Sequence, residues 1–108
     1  MNKPSANQIS IERYRSRAAG YDASAQFTMP LRQRTIELLQ LRPGQTVLDV
    51  GAGTGLSYAL LRQAVGEQGS VLAFEQSPEM FEQARARVMR ERWSNVWQCC
   101  TAAETVKL

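Results

Sequence analysis

The chemistry legible in this chain sits in one glycine-rich turn and two acids. Gly51-Ala52-Gly53-Thr54-Gly55 follows a short apolar run, Thr46-Val47-Leu48-Asp49-Val50. Glycines directly after a strand let the backbone turn sharply and let a ligand approach the main chain. A helix that follows such a turn presents unpaired N–H groups and a partial positive charge, which suit an anionic group. Glu75 closes a second apolar run, 20 residues beyond Gly55. A carboxylate in that place can accept both hydroxyls of a ribose. Asp49, two residues before the first glycine, is placed either to meet a cationic group on the ligand or to brace the loop. One site for an anion and one acid for a sugar describe a nucleoside-containing ligand with a negative group.

The dinucleotide fingerprint G-x-G-x-x-G would need its third glycine at Leu56. This loop reads G-x-G-x-G, so a nicotinamide-dependent oxidoreductase half is retained only as an alternative. Histidine is absent, which removes Ser-His and Cys-His nucleophiles and the usual zinc sites. No metal is expected. Cys99 and Cys100 are adjacent and give neither a disulfide framework nor a metal spacing. In a strand they point to opposite faces, and one packed with one exposed is the expectation.

The elements that must hold this loop follow from periodicity. Residues 1–27 read as a helical or irregular extension, Arg-rich and dotted with apolar residues, with a short amphipathic helix around Ile11 to Ala18. A helix starts at Thr28-Met29-Pro30 and carries Leu31, Thr35, Leu38 and Leu39 on one stripe, with Arg32, Gln33 and Glu37 elsewhere. Arg42-Pro43-Gly44 ends it. Thr46 to Val50 is a strand, Leu56 to about Val65 a helix, and Val71 to Glu75 a second strand. Ser77 caps a helix with Pro78 at its first position, and its apolar stripe is Met80, Ala84 and Val88. The arginines of that helix read as a solvated face, and Trp93 and Trp97 as packing residues. Val96 to Cys100 is a third strand. Strands alternating with helices imply an α/β fold, a Rossmann-like parallel sheet with right-handed crossovers and helices on both faces. Ligands of such sheets bind at the carboxyl ends of the strands, where the loop and Glu75 both lie.

Composition fits one ordered domain. The chain has 108 residues, 44% apolar and 21% charged, with a net charge of +3. That excess is too small to argue for nucleic acid or anionic lipid, and neither is expected as a partner. The first ten residues hold no apolar leader segment, and no run of about 18 apolar residues occurs, so no membrane partner is expected. A reduced, cytoplasmic setting is the default.

The segment VLDVGAGTGLS (Val47 to Ser57) resembles the first motif of class I S-adenosylmethionine-dependent methyltransferases. FEQSPEMFEQAR (Phe74 to Arg85) resembles their acid-ended second strand with its helix, and NVWQCCTAAETV (Asn95 to Val106) is similar to the third strand and the loop reaching the adenine. The flavour is that of the ubiquinone and menaquinone biosynthesis branch. The resemblance implies S-adenosyl-L-methionine as cofactor, methyl transfer to a small-molecule acceptor, and residues 28–108 as an incomplete cofactor-binding domain. It implies that Gly51, Ala52 and Gly53 line the methionine part, with Asp49 at its amino end. Glu75 would hold the ribose hydroxyls, with Gln76 and Met80 beside the adenine. Ala102 and Ala103 lie in the adenine loop, and Tyr21 in an aromatic segment over the pocket. Relatives commonly carry Asp where Ala102 stands, and loss of that polar contact weakens adenine binding by about 1 kcal/mol.

The family sheet has seven strands, and this chain reads as truncated after the third. Val47 to Val50 would then form a bare apolar edge open to self-association. The catalytic residues are not assigned by this half. An inactive fragment or association module is the further alternative.

Overall fold

The computed structural model describes residues 25–102. After a 3-10 turn, Gln26–Thr28, the order is α1 (Met29–Leu38), β1 (Thr46–Val50), α2 (Tyr58–Val65), β2 (Ser70–Glu75), α3 (Pro78–Glu91) and β3 (Val96–Cys100). The strands form one parallel sheet in the order β1-β2-β3, with Val47 opposite Val71 and Val71 opposite Val96. Each of these α-helices and strands starts within two residues of its expected position, β2 one residue early, while α1 ends at Leu38, ahead of Arg42-Pro43-Gly44. The local signals explain this. Ser77 is extended at φ −82°, ψ 116° and its hydroxyl accepts from the Met80 N–H at 3.4 Å, so α3 starts where the Ser-Pro pair places it.

Two right-handed crossovers that step the same way along a sheet leave their helices on one face. Accordingly Tyr58, Leu61 and Val65 of α2 and Ala84 of α3 enclose Val71, Ala73 and Val96 in a single core. Among the described residues these helices cover that face alone, whereas the expectation had helices on both. The opposite face carries Leu48 and Leu72, then Val50 at 61% and Trp97 at 62% exposed. Among the described residues β1 is an edge strand, with Leu48 and Val50 exposed as expected. Trp97 is therefore not a packing residue here, while Trp93 is half-buried against the core, edge-on to Tyr58.

Two further expectations change. Both cysteines are exposed, because Cys99 points to the open face and Cys100 ends an edge strand. The α1 stripe is also rotated. Leu31 is 70% exposed, and Leu38 and Leu39 are exposed too. The inward residues are Arg32 and Ile36, which with Thr28 form an equally good helical stripe at i, i+4, i+8. A guanidinium that finds a polar partner can face inward, and Arg32 finds Ser57.

Candidate functional site

At the carboxyl ends of the strands the chain builds a tight polar arch. Gly51, Gly53 and Gly55 all have positive φ, at 71°, 62° and 83°. The Gly51 and Ala52 N–H groups both donate to the Phe74 carbonyl, at 2.8 and 3.0 Å, which lashes the turn to β2. A side chain on Gly55 would meet the Tyr58 ring at 2.6 Å, whereas at Gly51 the space is open for 4 Å. The first glycine thus clears room above the loop, and the third clears room for the core.

Glu75 is buried, 7% exposed. Its Oε1 accepts from the Gly53 N–H at 2.7 Å and its Oε2 from the Ser77 N–H at 2.8 Å. One carboxylate therefore fixes the glycine loop and the start of α3 together. An ionised carboxylate has about four acceptor positions, so two are left for other donors. Cys100 lies opposite Glu75 in the sheet register, and its thiol is pushed up by burial first and by Glu75 next.

Asp49 points to the helix-covered face of β1. Its Oδ2 is buried and accepts no hydrogen bond. Burial raises its carboxyl above the ordinary 3.8, Arg32 pulls it back, and Glu75 adds a further rise. An uncompensated buried carboxylate oxygen is costly and calls for a cation or a donor. Of its two readings, bracing the loop gains no support, because Oδ2 reaches no loop N–H.

Beneath the arch Tyr58 is 1% exposed, and its hydroxyl accepts from Gln98 Nε2 at 3.0 Å. Burial pushes its phenol up to about 12, so it stays neutral at physiological pH. Arg87 departs from the solvated face expected for α3: its Nε donates to the Thr54 carbonyl at 3.0 Å. Arg85 does lie in solvent, paired with Glu82 at 3.1 Å.

The structure thus brings Asp49, Gly51, Ala52, Gly53 and Glu75 to one sheet end. Gln76 is half-buried just beyond, and Ala102 follows β3 at the same end. Met80 is buried, 1% exposed. Tyr21 and Ala103 lie outside the described residues. Sequence reading missed Arg32, Ser57, Tyr58 and Arg87. Only Arg32 left a signal, as the middle of the second α1 stripe.

A family model described as protein-L-isoaspartate(D-aspartate) O-methyltransferase matches residues 7–103. A protein-L-isoaspartate O-methyltransferase of Methanothrix thermoacetophila is 43% identical over 60 residues, 56% of this chain and 29% of that protein. A solved structure of a protein-L-isoaspartate O-methyltransferase superposes with a TM-score of 0.63 at 35% identity, covering 67% of this chain and 23% of that one. A solved S-adenosylmethionine-dependent methyltransferase from Aquifex aeolicus gives a TM-score of 0.74 at 28% identity, covering 86% and 50%. The chain spans less than a third of the length of the first curated relatives it matches. These findings overturn the small-molecule acceptor taken from the quinone branch, since the matched relatives are named for isoaspartate in protein. The nicotinamide and inactive-module alternatives receive no support from them.

Proposed function

This chain belongs to the protein-L-isoaspartate(D-aspartate) O-methyltransferase family, and on that premise we propose that it supplies the cofactor-binding part of an enzyme methylating an isoaspartyl carboxylate in a protein. The family is S-adenosylmethionine-dependent. In this reading residues 28–108 are the cofactor-binding unit, extended in the whole enzyme by elements that hold the acceptor. A cytoplasmic setting belongs to the same reading. No helix among the described residues is long and apolar enough to cross a membrane.

The observation that carries the proposal is the Glu75 carboxylate joined to Gly53 N–H at 2.7 Å. It unites the loop that would take the methionine part and the acid that would take the ribose. The residues present fit the cofactor: the space over Gly51 is open, Asp49 holds an orphaned buried oxygen, and Glu75 keeps two acceptor positions. Gly51, Ala52 and Gly53 would line the methionine part with Asp49 at its ammonium. Gln76, Ala102 and Ala103 would flank the adenine, and Tyr21 would close over the pocket. The bound cofactor supplies a methyl group already activated on a sulfonium. The chain's own residues therefore need only bind, orient and exclude water. A carboxylate acceptor is ionised at neutral pH and needs no base from this half.

Calorimetric titration with S-adenosylhomocysteine tests the reading. We expect saturable binding, weakened at least tenfold by Glu75→Gln in a sample whose melting curve stays cooperative. Absence of binding to the folded wild-type chain overturns it. So does unchanged affinity in Glu75→Gln, because the carboxylate would then take no part.

A further inference from the structure

Beside the glycine loop, α1 leans over β1 and the start of α2 and encloses a groove of about 380 Å³. Its wall is mostly apolar, with Leu31, Ile36, Leu48 and Leu61. Two opposite charges break that wall, Asp49 from β1 and Arg32 from α1. Both are held by the fold. Asp49 sits in the middle of a paired strand, opposite Ala73. Arg32 donates from Nε to Thr28 Oγ1 at 3.1 Å and from Nη1 to Ser57 Oγ at 3.0 Å.

The two charges act on each other through the groove without bonding. Arg32 lowers the Asp49 carboxyl, yet Asp49 Oδ2 accepts no hydrogen bond. A guanidinium has five N–H donors, and the two bonds above use two of them, leaving three. A cation-seeking oxygen and an anion-seeking fork in one groove are complementary to a ligand end that carries both charges. An α-amino acid end has that pattern, an ammonium and a carboxylate on one carbon.

We propose that Arg32 is a cofactor-specificity residue, its guanidinium pairing with the α-carboxylate of the methionyl end while Asp49 takes the α-ammonium. The inference rests on the S-adenosylmethionine reading and deepens it. Thr28 and Ser57 position the fork. The Ser57 hydroxyl makes no capping bond to α2, although Ser57 stands at that helix's cap position. It holds the arginine instead. Arg–carboxylate pairs are planar and often bidentate, so the contact selects for geometry as well as charge.

Three ligands separate the charges: S-adenosylhomocysteine, its decarboxylated analogue that keeps the amine, and 5′-methylthioadenosine, which lacks both. The wild-type chain should bind them in falling order by calorimetry. Arg32→Met should weaken S-adenosylhomocysteine about tenfold or more and leave the decarboxylated analogue within about twofold, with Arg32→Lys recovering part of the loss. Equal weakening of both ligands by Arg32→Met overturns the assignment, since it marks a merely structural side chain. Equal wild-type affinity for the first two ligands overturns it without any variant. A wild-type chain that binds none of the three overturns the cofactor reading itself, and this one with it.

Discussion

The two ends of the sheet treat buried polar groups in opposite ways. At the amino ends of the strands Asn95 is buried, with both amide hydrogens and its oxygen bonded. Its Oδ1 accepts from Arg62 Nε at 2.7 Å, and its Nδ2 donates to the carbonyls of Gly66 and Gly69 at 3.2 and 3.0 Å. Arg62 in turn lies over the Trp93 ring at 5.0 Å. At the carboxyl ends Asp49 keeps a buried oxygen without a partner, and Glu75 keeps acceptor positions in reserve. The floor closes its own hydrogen bonds and the rim leaves some open. Satisfied polar networks rigidify a fold, while orphaned groups cost stability and persist where something else completes them. That contrast separates the part that holds the chain together from the part proposed to hold a ligand.

The sharpest way to break the contrast is at Gly55, where rim and core touch. Gly55→Ala puts a Cβ within 2.6 Å of the Tyr58 ring at a φ of 83°. A loss of about 4 kcal/mol is expected from left-handed strain plus overpacking, read as a fall in the urea midpoint. Next comes the floor. Asn95→Ala should cost about 2 kcal/mol, since it strands the buried Gly69 carbonyl and removes the acceptor of Arg62 Nε, while the Gly66 carbonyl keeps the Gly69 N–H. Its folded fraction should still bind S-adenosylhomocysteine with unchanged affinity; a loss of affinity would erase the division between the ends.

Asp49→Asn should act in the reverse sense. Affinity for S-adenosylhomocysteine falls about tenfold, about 1.4 kcal/mol, while the chain becomes more stable at neutral pH. The sign follows from the raised Asp49 carboxyl. The folded state holds that proton more tightly than the unfolded one, so the wild type loses stability as pH rises through and above 3.8. The stability advantage of the variant should therefore vanish below that pH in paired urea melts. The smallest effect is expected at Tyr58→Phe, about 1 kcal/mol for the bond to Gln98. Burial lifts the Tyr58 phenol to about 12. Stability held below the ordinary 10.0 is lost as pH rises toward 12, and the phenylalanine variant should lack that alkaline loss in parallel thermal melts.

Much of the rim was legible because its signals are local. A β-branched run bounded by glycines places β1, and the Ser77-Pro78 pair starts α3. Asp49, the glycines and Glu75 meet because parallel strands bring their carboxyl ends to one side. Contacts made across the fold were not legible. Arg87 and Thr54 are 33 residues apart, and Tyr58 and Gln98 are 40 apart. Nothing in either neighbourhood names the other. The side of α1 that carries Arg32 is not legible either, because two stripes fit the same spacing and the leucine-rich one is the more apolar. Nor is the acceptor legible, since the residues that carry the family resemblance are those proposed to hold the cofactor, and a cofactor site does not specify what is methylated.

By itself the sequence determined that strands and helices alternate, that a glycine turn follows the first strand, and that an acid ends the second. These depend on backbone preferences and burial patterns within a few residues. The tertiary structure alone decided which side of α1 faces the sheet, which carboxylate oxygens are already engaged, and which one is left open. Those outcomes depend on which side chains reach one another once the elements pack, and spacing along the chain does not encode that distance.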